Sequence, residues 1–285
     1  MKLLDKAWQD WIQRNIERGC LHADMLGVML KAGILESTAR FNLAAFVNGA
    51  ANASPPTDSK SDFIAYHQEA SYLFQHENTL VTRDGQIMQV VFRLDAPDIV
   101  VLDNFMTDAE CDALCAQSAS TLSKSKVIDD KTGASIAHGA RSSQGTYFSL
   151  GQTPLVQAIE ARISEITDTP VVNGEGIQIL NYVDGGEYRP HFDYFPDKDG
   201  GRVHTAKGGQ RIITVIMYLN DVAAGGATIF PNINLNIYPK KGSALYFSYF
   251  NSTGQVDPAT LHGGAPVLAG EKWIATKWIR EREYR

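Results

Sequence analysis

The chain has 285 residues, 44% hydrophobic and 20% charged, with a formal net charge of −6. That composition buries a core and excludes global disorder, and the scattered lysines and arginines exclude the concentrated basic surface that nucleic-acid binding needs. No run of residues is long and apolar enough to span a membrane, so neither nucleic acid nor membrane is expected as a partner, and the oligomeric state is left open.

The first part of the chain reads helical. Leu4, Trp8, Trp11 or Ile12, and Ile16 recur at helical spacing, as do Met25, Leu26, Met29 and Leu30. Gly33 is placed to stop the second helix, and Ser37 to cap a third running through Phe46. Residues 50–60, around Pro55-Pro56, are Ala/Ser/Pro-rich and read as a linker. One more short helix is expected over Phe63 to Phe74. His22, His67 and His76 lack matched partners and read as surface or packing histidines. An N-terminal helical region without catalytic residues is therefore expected over 1–76, and a separate domain over 77–285. Charges at Lys2, Asp5 and Lys6 interrupt the apolar run a signal peptide needs. The three cysteines, Cys20, Cys111 and Cys115, fit no zinc spacing and suit a reducing compartment. The expected location is cytoplasmic.

After residue 77 the period changes. Asp84-Gly85 between apolar runs signals a hairpin, and Val90-Val-Phe and Ile99-Val-Val-Leu are strand-like. Thr107-Asp-Ala-Glu110 is a capping box opening a helix. Thr153-Pro154 opens another, with Val156, Ile159, Ile163 and Ile166 on one face. From Gly176 onward, short β-rich runs alternate with Gly/Pro/Asn/Asp turns, the texture of an antiparallel sandwich or barrel. The fold class is α+β, with a jelly-roll core braced by helices. Two polar loops, Ser123 to Gln144 and Pro196 to Gln210, are long enough to be functional.

The chemistry concentrates late in the chain. His191-Phe-Asp193 places an imidazole and a carboxylate two apart, on one face of a strand. With the distant His262, they form the donor set of a facial triad for non-haem Fe(II), which leaves three coordination positions open. The imidazoles must be neutral to donate, so metal affinity is expected to fall in acid. A bare His-x-Asp arises by chance in a chain of this size, and a solvated polar turn is the bland alternative. Lys272 beside Glu271 reads equally as a surface lysine.

Context decides between these readings. Tyr182-Val-Asp-Gly-Gly-Glu-Tyr188-Arg-Pro-His191-Phe-Asp193-Tyr-Phe, Arg211-Ile-Ile-Thr214, Gly225-Gly-Ala-Thr228-Ile-Phe230-Pro, Leu261-His262-Gly-Gly-Ala265-Pro-Val and Gly270-Glu-Lys272-Trp273 follow in order. In sequence and spacing they resemble the catalytic domain of the prolyl 4-hydroxylases, Fe(II)- and 2-oxoglutarate-dependent dioxygenases. The resemblance is strongest from Gly174 to Arg280 and extends to Arg141-Ser-Ser and Ile99 to Cys111. Ala265 stands where the family often has Cys, which removes a thiol but no ligand. The resemblance implies a double-stranded β-helix core. It implies that His191, Asp193 and His262 bind Fe(II) and that Lys272 pairs with the distal carboxylate of 2-oxoglutarate. Tyr182 and Thr214 would be hydroxyl donors to the co-substrate, and Trp278 would form the wall beside it. Arg141 and Tyr188 would lie on the substrate side. O2 is the co-oxidant, and L-ascorbate is a further cofactor the resemblance admits. Related halogenases lack the carboxylate, so Asp193 points to hydroxylation, with a prolyl residue of a peptide or protein as expected target. Two other readings stay open: the same chemistry on another side chain or a free small molecule, and a non-catalytic metal-binding or interaction module.

Overall fold

The computed structural model describes residues 22–31, 66–73, 77–124, 127–128, 135–136, 142–195 and 199–284, with the isolated positions 8, 9, 12, 34, 38, 39, 42 and 43. It divides into two compact units, Met1–Ile64 and Ala65–Arg285. In the first, helix α1 (His22–Lys31) presents Met25 and Met29 to Ile12, Ala39 and Leu43, all buried. This apolar cluster follows the helical spacing read from the sequence. The third expected helix lies mostly, and the linker over 50–60 wholly, outside the described residues.

The second unit starts at Ala65, earlier than the expected 77. The helix expected over 63–74 does not form at 66–73, where the chain has no regular secondary structure. Its polar groups instead bond to residues 251–255, and Leu73 is buried in the main core.

Among the described residues seventeen strands follow in chain order: β1 (Thr79–Val81), β2 (Ile87–Leu94), β3 (Ile99–Asp103), β4 (Ser123–Lys124), β5 (Val127–Ile128), β6 (Ser135–Ile136), β7 (Gln144–Phe148), β8 (Ile177–Tyr182), β9 (Tyr188–His191), β10 (Arg211–Tyr218), β11 (Ala224–Gly225), β12 (Thr228–Phe230), β13 (Leu235–Ile237), β14 (Ala244–Ser248), β15 (His262–Gly264), β16 (Val267–Ala269) and β17 (Lys272–Arg280). Nine form one antiparallel sheet in the order β1-β2-β3-β14-β10-β17-β8-β7-β4. Four form a smaller sheet, β13-β12-β15-β9, and β5-β6 and β11-β16 are separate pairs.

Helix α2 (Asp108–Ala119) begins at the Thr107/Glu110 capping box, with both reciprocal bonds made. Helix α3 (Pro154–Thr167) begins at Thr153, which accepts from the Val156 amide, and ends at Asp168 in the left-handed region. Val156, Ile159, Ile163 and Ile166 pack with Cys111 and Leu114 against one face of the large sheet, through Ile213, Val215, Met217, Ala275 and Ile279. The strand alternation sends Ile216, Tyr218, Leu180, Tyr182 and Ile274 to the opposite face, where they meet Phe230 and Val267. This second apolar layer lies between the two sheets.

The expected loop at 196–210 contains a short helix, α4 (Asp199–Thr205). Its Gly200-Gly201 pair masks the helical signal, since glycine is a poor helix former. No helix among the described residues is long and apolar enough to cross a membrane. Leu73 is 1% exposed within the core of the second unit. Leu73→Ala should destabilise that unit by about 2–5 kcal/mol, read as a lower midpoint in chemical denaturation. A change below 1 kcal/mol would place the boundary of the cooperative unit after this segment.

Candidate metal and co-substrate site

Strand pairing in the small sheet builds the centre of the site. β9 and β15 are antiparallel neighbours, with His191 directly opposite His262. A Cβ on Gly263 would sit 2.8 Å from the Tyr188 carbonyl oxygen and 3.0 Å from the Pro190 nitrogen, so glycine permits this close approach. Asp193 lies just past the end of β9. One ligand atom each from His191, Asp193 and His262 falls within 4.8 Å of the others.

The imidazoles are oriented from behind. His191 Nδ1 lies 2.9 Å from the Arg189 carbonyl oxygen, and His262 Nδ1 lies 3.0 Å from that of Thr260. A carbonyl can only accept, so each Nδ1 carries a hydrogen and the lone pair of each neutral ring is on Nε2. His191 Nε2 is 3.6 Å from Asp193 Oδ1, and His262 Nε2 is 3.4 Å from Oδ2. Burial opposes ionisation of Asp193. When His262 and His191 are protonated, their charge and that of Arg211 outweigh it and hold the carboxyl well below the usual carboxylate range. Tyr188 stacks on His191 at 3.7 Å between ring centroids, and Phe247 stands edge-on to His262 at 4.7 Å. A buried carboxylate beside two neutral imidazoles suits a ferrous ion and leaves positions open for other ligands.

Lys272 opens β17 directly opposite Tyr182 on β8. It is 3% exposed, and burial depresses its pKa to about 8. Glu271 is not its partner, because that carboxylate turns to the Asn181 amide, 2.9 Å away. Among the described residues no acidic side chain pairs with the Lys272 ammonium, which lies 5.9 Å from the Tyr182 ring centroid and 5.7 Å from that of Tyr218. Tyr218 in turn donates to Thr228 Oγ1 at 2.8 Å. A buried cation without a counter-charge is costly, and an anionic ligand ringed by these hydroxyls would remove the cost. The surface-lysine reading does not survive.

Thr214 faces the triad. Its hydroxyl donates to Asp193 Oδ2 at 2.7 Å and lies 3.0 Å from the Tyr249 hydroxyl. Trp278 pairs with Thr214 across β10 and β17. Its indole Nε1 is buried without a hydrogen-bond partner, and the Arg211 guanidinium lies 3.9 Å from its ring centroid. Arg141 lies outside the described residues.

Sequence reasoning missed a buried ionic group beside the triad. Glu175 accepts from Arg211 Nε at 2.7 Å and from Arg280 Nε at 2.6 Å. Arg211 Nη1 donates to the Asp193 carbonyl oxygen at 3.3 Å, and Arg280 Nη1 to the carbonyls of His204 at 3.0 Å and Gly209 at 2.7 Å. Asp193, the end of α4 and the segment after it are thereby tied to the sheet. The available signal was a lone arginine heading the apolar run Ile212-Ile213-Thr214-Val215-Ile216. Tyr218, Thr228 and Tyr249 gave no such signal, since Tyr and Thr are ordinary strand residues.

A carboxylate-bearing histidine triad between two antiparallel sheets defines a class, and residues 177–280 match the 2OG-Fe(II) oxygenase superfamily. The chain is 42% identical over 208 residues to prolyl 4-hydroxylase 5 of Arabidopsis thaliana, covering 66% of this chain and 70% of that protein. It is 43% identical over 207 residues to probable prolyl 4-hydroxylase 8 of the same plant, with the same coverage. Among solved structures, it is similar to the viral collagen prolyl hydroxylase of Paramecium bursaria Chlorella virus-1 in its 2-oxoglutarate complex. That similarity has a TM-score of 0.51 and 29% identity, over 64% of this chain and 95% of the viral one. The chain belongs to the prolyl 4-hydroxylase family. It is a dioxygenase that uses Fe(II), 2-oxoglutarate and O2.

The Thr214 hydroxyl can be assigned by substitution. Thr214→Val keeps the shape and removes the donor to Asp193. It should weaken Fe(II) or Co(II) binding by about tenfold, the usual loss for a group behind a metal ligand, with little change in the 2-oxoglutarate requirement. The reverse pattern, with unchanged metal affinity and a raised 2-oxoglutarate KM, would return Thr214 to the co-substrate.

Proposed function

We propose that this enzyme hydroxylates prolyl residues in a peptide or protein, with His191, Asp193 and His262 holding Fe(II) and Lys272 receiving the distal carboxylate of 2-oxoglutarate. The observation that carries the reading is the triad together with a buried lysine that no acidic side chain among the described residues pairs, in a chain similar to prolyl 4-hydroxylases. Iron with 2-oxoglutarate supplies the activation of O2, so that one oxygen atom enters succinate as CO2 leaves and the other converts a substrate C–H to C–OH.

The chain's own residues do the rest. The Arg189 and Thr260 carbonyls fix both imidazoles with Nε2 inward. Thr214 and Arg211 hold Asp193 by its carboxylate and its main chain, so the open coordination positions face one direction. Tyr182, Tyr218 and Thr228 line the approach to Lys272 and orient the co-substrate with hydroxyl groups. Trp278 forms the wall beside it and offers its free indole N–H. Phe230, Phe247 and the rest of the apolar layer exclude water from the reacting centre. Tyr188, stacked on His191, faces the substrate, and Arg141 is assigned to substrate binding by the family resemblance alone. L-ascorbate, as reductant of iron oxidised in uncoupled turnover, completes the cofactor set.

The architecture in this reading is a double-stranded β-helix. Its support is the alternation of the chain between sheets, with β8, β10, β14 and β17 in the large one and β9, β12, β13 and β15 in the small one.

Two measurements test the reading. Incubation with proline-containing peptides, Fe(II) and 2-oxoglutarate should add one oxygen to a prolyl residue, seen by tandem mass spectrometry. His191→Ala, Asp193→Ala and His262→Ala should each abolish succinate formation while the sheet stays folded. Oxygen found on a different side chain would move the target, and turnover by a triad variant would sink the site.

The second is pH dependence. The Lys272 pKa of about 8 in the free protein should rise when an anion binds. Affinity for 2-oxoglutarate should then be constant below pH 8 and fall by up to tenfold per pH unit above it. Lys272→Ala should raise the 2-oxoglutarate requirement at least tenfold and flatten this profile. A wild-type profile flat through pH 9 would place the anion elsewhere.

A further inference from the structure

Residues 66–73 grip the loop that joins β14 to β15. The main chain of His67 is held on both sides, its amide donating to Gln255 Oε1 at 3.0 Å and its carbonyl accepting from Asn251 Nδ2 at 3.0 Å. The Glu69 carboxylate accepts from the Ser252 amide at 3.0 Å and the Ser252 hydroxyl at 2.5 Å. Leu73 anchors the far end of this strap in the core. Asn251 is 1% exposed, and its Oδ1 accepts from Thr253 and Gln255, which closes the loop on itself. The tip, 252–254, is exposed and has no apolar anchor of its own.

Both ends of the gripped segment reach the triad. At its start, the Tyr249 hydroxyl meets Thr214, which donates to Asp193. The Asp257 amide then donates to the Tyr249 carbonyl at 2.9 Å, and Thr260 bonds back to Asp257. At its end, the Thr260 carbonyl receives His262 Nδ1–H. Two of the three ligands are therefore oriented by a segment that the strap fixes from outside.

We infer that the strap is a positioning element for the metal centre, with Glu69 its principal contact. Through Ser252 and the 249–262 segment, it sets the geometry of His262 and Asp193. Hydrogen bonds this exposed add little to global stability. Ligand placement, by contrast, responds to shifts of a few tenths of an ångström, because coordination geometry tolerates no more. The inference rests on the reading of the triad as a metal site, and its test separates the two.

The experiment uses the full chain and Co(II) as the probe, with calorimetric titration, the visible absorption of the bound ion and a thermal melt. Glu69→Ala should weaken Co(II) binding by about tenfold, the scale seen for groups behind metal ligands, and alter the visible spectrum. Glu69→Gln, which keeps one acceptor for Ser252, should recover most of both. Ser252→Ala, which deletes a single hydroxyl without threatening the fold, should lie between them. Glu165→Ala, which removes an acceptor for the Arg83 amide on another face, should leave metal binding and spectrum unchanged. A lower melting point with wild-type Co(II) affinity and spectrum in Glu69→Ala and Ser252→Ala would overturn the inference and leave a merely structural clip. A wild-type chain that binds no Co(II) would overturn the metal-site reading itself, and this inference with it.

Discussion

The site depends on keeping one buried carboxylate ionised. Asp193 is almost fully buried, and an isolated carboxylate there would protonate to avoid the desolvation cost. It stays charged because Arg211 faces it, Thr214 donates to it, and His262 and His191 bring positive charge to it, carried by protons or by a metal they bind. None of these groups is near Asp193 by sequence alone, apart from His191. The pairing of β9 with β15 and the register of β10 bring them together.

The same need to satisfy buried polar groups organises the surroundings. Arg211 and Arg280 share Glu175, and their remaining donors go to main-chain carbonyls. On the helix side of the sheet, Lys277 pairs with Glu160 at 2.6 Å. Lys272 departs from this pattern, with burial alone setting its pKa. The other buried basic side chains among the described residues, Arg162, Lys277 and Arg280, each face a carboxylate, so a residue such as Lys272 marks the place of a ligand. Trp278, whose indole N–H is also unpartnered, belongs to the same part of the site.

Strand alternation explains how chemistry and stability share one sheet. Along β17, Lys272, Ile274, Thr276 and Trp278 are on one face, while Ala275, Lys277 and Ile279 are on the other. The first set turns toward the small sheet and the second toward α3. A shift of one residue in register would exchange the two sets and place Glu160's partner in the active cleft. The apolar residues around each charged one fix the register, so the core and the site are specified by the same pattern.

The sequence by itself determined what short-range physics controls. The Thr107/Glu110 box, the Thr153-Pro154 start, the one-faced isoleucines of α3 and the Asp84-Gly85 hairpin turn all depend on neighbours within a few residues. The His191, Asp193 and His262 set was legible because its donor chemistry is specific and its flanking motifs follow in order. Only the tertiary structure decided which hydroxyls face which charge. Thr214 and Thr228 are equally ordinary threonines in strands, yet one bonds Asp193 and the other accepts from Tyr218. Only the tertiary structure attached residues 66–73 to a loop far along the chain, where a helix was expected. Those outcomes turn on long-range register and on bonds between distant segments, and residue type fixes neither. A polar side chain in a strand states that it needs a partner but not which one the fold will bring to it.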